Sequence, residues 1–486
     1  KLKNKSMYDK FGQFIDGKWQ LAEKKETYDV INPATEEIIG RASKASSVDV
    51  QKALKAAEKG LEVWKNTAPW QRAYTLRKIA DLMREKKDVL AKWLTLEVGK
   101  PLVEGVGEVG GGADIFEWNA EETKRIYGQT QQSRFPNTRV HVYYQPVGVV
   151  AALVPWNFPI VLASRKISTA LAAGCSVICK PDVITPGAVM QLVDICREAG
   201  VPDGVVNLLS GDPAEISNEL MESDIVKKVS ITGSTRVGKI ILKKAAEKVQ
   251  RVTMELSGHS PFIVCEDVDM NKVADIAITA KFRNNGQVCI SPNRFYIQEN
   301  RKNEFVNAFI ERAKKLKIGN GMDEGVELGP LTTSKRLEEI EKLVETTKNE
   351  GAKVLMGGKR PAGFNKGYYY EPTVFDEVKD NFTIMKEEPF GPLVPILTFK
   401  NFDEVIERAN DNELGLCSYL YTNSMDKANL GSEKLETGCV AVNTGVVAIA
   451  EAPFGGIKQT GYGREGGSGA IKDYLNVKYT HMGLTI

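Results

Sequence analysis

Histidine is scarce in this chain. Only His141, His259 and His481 occur in 486 residues. Their wide spacing argues against a His-based metal site and against a Ser-His-Asp triad, so no metal is expected. The seven cysteines (175, 179, 196, 265, 289, 417 and 439) are odd in number and include no Cys-x-x-Cys. That is the usage of a reducing compartment, not of a disulfide framework. An excess of one charge sign is also missing: 65 Lys and Arg stand against 63 Asp and Glu, a net charge of +2. So balanced a chain has no bulk attraction for nucleic acid or for an anionic membrane. Long apolar runs are absent too. The longest lies around Val147–Val154, far short of a membrane span. The basic start, Lys1 to Met7, leads into no apolar stretch, so no secretory signal is read. A cytoplasmic protein without nucleic-acid or membrane partners is expected.

What is present is ordinary for a soluble enzyme: 42% hydrophobic and 26% charged residues. At roughly 100–200 residues per domain, the length suggests two to four domains. Val50, Ala53, Leu54, Ala57, Leu61 and Trp64 form a helical stripe over 49–64, and a second helix is expected over 72–86. Short apolar strands are expected at 149–154, 176–179, 205–209 and 229–232. Helices are expected between and after them, at 164–173, 187–199, 214–222 and 235–248. Strand-helix-strand units of this length imply a doubly wound parallel sheet covered on both faces. A second α/β region follows from about 258, with helices near 303–316 and 335–350 and a strand at 353–356. Residues 137–146 alternate as an exposed strand, and 474–479 offers another.

Two matches to G-x-G-x-x-G, at Gly105–Gly110 and Gly461–Gly466, lack the strand-turn-helix order of a dinucleotide fingerprint and read as loops or helix junctions. A better nucleotide candidate is Val229–Gly238. There a strand runs into Gly233-Ser234, and a helix follows with Val237, Ile241 and Ala245 on one face. Gly233 lets a ligand approach the backbone, and the helix start favours a phosphate. On local sequence alone an ordinary capped strand-helix turn is the better reading of that stretch. Cys289 differs from the other cysteines in its polar, Gly-containing surroundings, with Arg283 and Arg294 nearby in sequence. Positive charge there would stabilise a thiolate. Glu255, at the end of an apolar strand, would have a raised pKa if left unpaired, which suits a general base.

Six ordered segments carry a resemblance: Pro155-Trp-Asn-Phe-Pro159, Thr232-Gly-Ser-Thr235, Met254-Glu-Leu-Ser-Gly258, Gly286-Gln-Val-Cys289, Glu387-Glu-Pro-Phe-Gly-Pro392 and Pro453-Phe-Gly-Gly-Ile-Lys458. In order and spacing they resemble the NAD(P)-dependent aldehyde dehydrogenase superfamily, from about Phe14 to Gly483. The resemblance implies that Cys289 attacks the aldehyde carbon and that Asn157 and the Cys289 amide hold the oxyanion. It implies a thioester hydrolysed by water that Glu255 activates, and hence a free acid product. Lys166 resembles the family lysine near the catalytic Asn, with a structural ion pair as the competing reading. By the same resemblance, NAD or NADP is held by Trp156, Lys180, Val183, Gly233, Ser234, Glu388 and Phe390. Val183 stands where NAD-preferring members usually carry a Glu that repels a 2′-phosphate, so NADP is permitted as well as NAD.

Within the superfamily the chain is most similar to succinate semialdehyde dehydrogenases, which carry Arg at the positions of Arg165 and Arg283. A guanidinium pairs bidentately with a carboxylate and stays charged when partly buried. Ala448 stands in place of a usual carboxylate-binding Ser, Asn119 replaces an expected Phe of the pocket helix, and Ser291 replaces a second Cys. A longer or more polar substrate such as 2-oxoglutarate semialdehyde is the alternative, followed by lactaldehyde or glycolaldehyde. A catalytically weak structural or binding homologue is the alternative of a different class. The expected organisation is an NAD(P)-binding domain over 1–125 and 147–257 and a catalytic domain over 258–460. A β extension over 126–146 and 470–486 would join the chains into a homo-oligomer, a dimer or a tetramer.

Overall fold

A computed structural model describes residues 8–484. Two seven-stranded sheets dominate it. The first runs in the order Arg251–Glu255, Val226–Thr232, Val149–Leu153, Ser176–Lys180, Val206–Leu208, Gln13–Ile15, Lys18–Gln20. Its first five strands are parallel, and the Gln13–Gln20 hairpin adds an antiparallel edge. The second runs Lys353–Met356, Thr373–Asp376, Leu393–Phe399, Pro292–Gln298, Ser260–Val264, Cys417–Tyr421, Cys439–Val442, parallel except at its first strand. The chain is thus α/β with two doubly wound parallel sheets. A small sheet of Gln129–Gln132, Thr138–Pro146 and Leu475–Gly483 stands apart from both. Among the described residues, no helix is long and apolar enough to cross a membrane.

Side-chain alternation explains why each sheet is buried on both faces. In the first sheet Val150, Ala152, Val177 and Cys179 face one core, with Leu76, Phe116 and Ile167 from the covering helices. Val149, Ala151, Leu153 and Ile178 face the other, with Leu54, Ile216 and Ile241. The second sheet repeats the pattern. Phe262, Phe295 and Tyr419 lie on one side, and Ile263, Tyr296 and Leu420 on the other.

The expected helices are found within a few residues of their expected bounds, with informative exceptions. The helix expected from 164 begins five residues earlier, as Pro159–Ala173. Its first free amides, of Ile160 and Val161, donate to Glu108 from another helix, a cap that no local signal announces. Gly105–Gly110 is neither a loop nor a junction: it lies inside the helix Leu102–Glu122. A Cβ on Gly112 would come within about 3 Å of Met83, Ser164 and Ile160, so this helix needs small residues where it packs. Gly461–Gly466 is a loop, as expected, and it serves as the outer partner of an edge strand. The carbonyls of Tyr462 and Thr460 accept from the amides of Met254 and Leu256 at 2.9 and 2.8 Å. Gly461 has φ +110°, and a Cβ there would sit 2.4 Å from the Met254 carbonyl oxygen. Gly461→Ala is expected to cost at least about 1–3 kcal/mol of stability, with a lower midpoint in thermal unfolding and reduced activity. An unchanged melting curve would show that the loop does not bear on that strand.

Candidate active site

The first sheet delivers its polar groups at its carboxyl edge, where parallel α/β sheets bind ligands. Lys180 ends one strand and pairs in register with Leu153; Thr232 and Glu255 end two others and pair with each other. Pro155, Trp156 and Asn157 follow Leu153 after one residue, and Gly233 and Ser234 follow Thr232 directly. Opposite them the second half presents Cys289, Glu388 and Phe390. Together Trp156, Asn157, Thr232, Gly233, Ser234, Glu255, Cys289, Arg336, Glu388 and Phe390 line a cleft of about 180 Å³.

Cys289 is carried by a strained turn. Asn284, Asn285 and Gly286 have φ values of 48°, 55° and 74°, a left-handed run that Asn and Gly tolerate best. Side-chain amides lock the run: Asn285 Nδ2 donates to the Gly329 carbonyl at 2.9 Å, and Gln287 Nε2 to that of Asn284 at 3.0 Å. The Asn157 side chain reaches this turn, donating to the Gln287 carbonyl at 3.2 Å. Phe390 also has positive φ, 48°, and its ring meets Trp156 edge-on at 5.5 Å.

Glu255 is buried, and neither carboxylate oxygen has a hydrogen-bond partner of ordinary geometry. Burial, helped by the charge of Glu465, pushes its pKa up to about 7, against the pull of Cys289, Lys166 and Thr232. The expectation of a stabilised thiolate is not met. Burial, then the Glu255 carboxylate, then Glu388, push the Cys289 thiol well above its ordinary value, against the pull of Arg283. Arg294 plays no part. It is buried and donates to the carbonyls of His259 and Ala409. Glu388 is likewise pushed up, to about 8, chiefly by burial, while accepting from the Gly258 amide at 3.2 Å.

Lys166 is fully buried. Its ammonium donates to Glu465 at 2.5 Å and to Thr232 Oγ1 at 2.8 Å. The ion-pair reading of Lys166 is therefore the one the geometry displays, set beside Glu255. Glu465 was not singled out from the sequence, because it lies within the discounted Gly461–Gly466 segment. Arg165 is buried, donates to the Glu465 carbonyl at 3.1 Å and stacks 5.0 Å from Phe454. Arg283 and Ala448 come together elsewhere. They line a second cavity of about 500 Å³ with Thr279, Ile290, Asn443 and Thr444. Asn119 is not on a pocket wall, contrary to expectation. It is buried between helices, donating to Ser168 Oγ at 2.8 Å and to the Ile115 carbonyl.

The cleft suits a dinucleotide. A Cβ on Gly233 would meet nothing within 4 Å, so a ligand has open access to the backbone there. Ser234 caps the helix Thr235–Glu247 by accepting from Val237 at 3.3 Å. Lys180 is buried, with its pKa lowered by that burial and held up by Asp182 and Asp212. Val183 lies in a separate cavity of about 460 Å³ with Tyr28, Lys44 and Asp212.

Comparison with known proteins gives the family. The chain belongs to the aldehyde dehydrogenase family, whose model matches residues 19–480. A glutarate-semialdehyde dehydrogenase of Pseudomonas putida is 42% identical over 466 residues, covering 96% of each chain. An NADP(+) succinate-semialdehyde dehydrogenase of Escherichia coli is 41% identical over 97% of each. Among solved structures, a betaine aldehyde dehydrogenase of Staphylococcus aureus in complex with NAD+ superposes with a TM-score of 0.96 at 35% identity, covering 100% of this chain and 96% of that one.

Because the Glu255 charge raises the thiol pKa, Glu255→Gln is expected to speed alkylation of Cys289 by iodoacetamide several-fold at pH 8, followed by mass spectrometry. Slower alkylation would show that the carboxylate deprotonates the thiol and does not oppose its ionisation.

Proposed function

We propose that the protein oxidises an aldehyde bearing a carboxylate at its far end, of the succinate or glutarate semialdehyde kind, to the free diacid with NAD or NADP. The observation that carries this reading is Arg283. It lines the 500 Å³ cavity beside Ile290, the neighbour of Cys289, and its charge acts on the Cys289 thiol. A guanidinium in that position selects an anionic tail. Relatives in Pseudomonas putida and Escherichia coli, named for glutarate and succinate semialdehydes, support the same substrate class. Arg165, bonded to the Glu465 backbone, backs the site from behind. The small Ala448 leaves the cavity room for a tail longer than that of succinate semialdehyde.

In this reading Cys289 attacks the aldehyde carbon as a thiolate, and the Asn157 amide with the Cys289 N–H receives the negative oxygen. Trp156, Gly233, Ser234, Glu388 and Phe390 hold the dinucleotide in the cleft, and Lys180 its adenosine ribose. When bound, the nicotinamide supplies the hydride acceptor. Glu255 then takes a proton from the water that cleaves the Cys289 thioester, a task its raised pKa suits. Lys166 and Glu465 set the charge around it. Val183 itself offers no carboxylate against a 2′-phosphate, although Glu26 and Asp212 line its cavity together with Lys44, and the Escherichia coli relative is named for NADP(+). That supports use of NADP alongside NAD.

The organisation expected from the sequence completes the proposal. A cofactor-binding domain (1–125 and 147–257) faces a catalytic domain (258–460); of the expected ranges, residues 1–7 and 485–486 lie outside the described residues. The extension (126–146 and 470–486) joins subunits, with Val477, Tyr479 and Met482 exposed on its strand.

Arg283→Ala is expected to raise KM for succinate or glutarate semialdehyde at least tenfold while leaving that for butyraldehyde within twofold; equal effects on both would refute selection of the anionic tail by Arg283. Glu255 acts only as carboxylate, so the hydrolytic rate should fall about tenfold per pH unit below its pKa of about 7. Glu255→Gln should abolish this limb and accumulate the acyl-enzyme, visible by mass spectrometry after acid quench. Turnover of the wild-type kind in that variant would remove Glu255 from the mechanism.

A further inference from the structure

Behind Asn157 lies a buried ion pair with no part in the chemistry above. Lys100 follows Gly99 at the end of the helix Lys87–Val98, and Glu108 lies two turns into Leu102–Glu122. Their side chains are fully buried and bonded to each other. Such a pair is costly to bury, and well-packed apolar residues often serve stability equally well. Its other contacts converge on one short segment. Lys100 Nζ donates to the Asn157 carbonyl at 2.9 Å and sits 3.6 Å from the centre of the Phe158 ring. Asn284 Nδ2 donates to the same carbonyl at 3.0 Å, occupying its second lone pair. Glu108 Oε1 accepts from the amides of Ile160 and Val161 at 2.9 and 3.3 Å. The peptide after Asn157 is thus gripped from both sides, while the helix that follows is capped by the same pair.

We propose that the Lys100–Glu108 pair is a positioning element that fixes the main chain of Asn157, and so aims its side-chain amide at the developing oxyanion. The proposal rests on the oxyanion role of Asn157 given above. The pair touches neither substrate nor cofactor. Its effect on rate passes through Asn157, which separates it from a merely structural ion pair.

A double-mutant cycle tests it, with kcat measured on succinate semialdehyde, cofactor affinity by fluorescence titration and folding by thermal unfolding. Lys100→Met with Glu108→Gln removes the donor to Asn157 and keeps an acceptor for Ile160 and Val161; Glu104, whose charge also acts on Lys100 and which accepts from the Asn284 amide, is changed to Gln in every variant and in the reference enzyme so that no carboxylate loses its partner between backgrounds. Asn157→Ala alone is expected to lower kcat about 100-fold to 1,000-fold. The neutral pair is expected to lower kcat at least tenfold in the reference background, with cofactor affinity unchanged. In the Asn157→Ala background it should change kcat by less than twofold. The same loss in both backgrounds, or no loss in the reference one, overturns the proposal while leaving the role of Asn157 intact. Unchanged kcat in Asn157→Ala removes that role, and the proposal falls with it. Should the neutral pair be recovered unfolded, Glu108→Gln alone, which loosens the hold on Lys100 but keeps its hydrogen bonds, is read by the same cycle. It is expected to give a smaller loss that vanishes in the Asn157→Ala background; a loss of equal size in both backgrounds again overturns the proposal.

Discussion

An edge strand must find partners for its outer amides, and here that need joins the two halves of the molecule. Arg251–Glu255 ends the first sheet, and its free side is met by carbonyls of the loop that follows the second sheet. Met254 and Leu256, on either side of Glu255, are both held this way. The carboxylate is thereby fixed at the seam, facing Cys289, which a turn of the other half supplies. The bonds of Asn157 to the Gln287 carbonyl and of Asn284 to the Asn157 carbonyl hold the same seam from the other side, so Glu255 and Cys289 are fixed relative to each other by several contacts.

Burial at the seam then sets the electrostatics. Glu255, Glu388 and Cys289 all have raised pKa values, with desolvation the leading cause for each. Three acidic groups crowded at one buried cleft resist ionising together. The Lys166–Glu465 pair beside them contributes charges of both signs. The resting site is therefore less charged than its composition suggests, which lowers the cost of admitting an uncharged aldehyde group.

Much of this was legible in the sequence, and the remainder has a physical reason. Ser334–Asn349 and Lys353–Met356 carry strong local signals and lie within a residue of expectation. Cys289, Asn157, Glu255, Gly233, Ser234, Glu388 and Phe390 come together in one cleft because the motifs that carry them end strands or form turns at the same edge. The environment of Cys289 was not legible. Arg294 is five residues from Cys289 in the chain but turns away into the core, while burial, followed by Glu255 and Glu388 from distant parts of the sequence, sets the thiol. The early start of Pro159–Ala173 was hidden because its cap is Glu108, some fifty residues upstream. Asn119 was misplaced because a helix position says which face a residue shares, not which neighbour covers that face.

The helix Leu102–Glu122 contains five glycines, at 105, 107, 110, 111 and 112. In a helix interior each costs about 1 kcal/mol relative to alanine, so this segment is a poor helix by itself. Its order is borrowed from Pro69–Glu85, Lys87–Val98 and Pro159–Ala173, against which it packs. Its helical form depends on that packing and not on its own propensity. Substitutions that loosen any of those three helices should therefore unsettle this one as well, and with it the hold of Glu108 on the start of Pro159–Ala173.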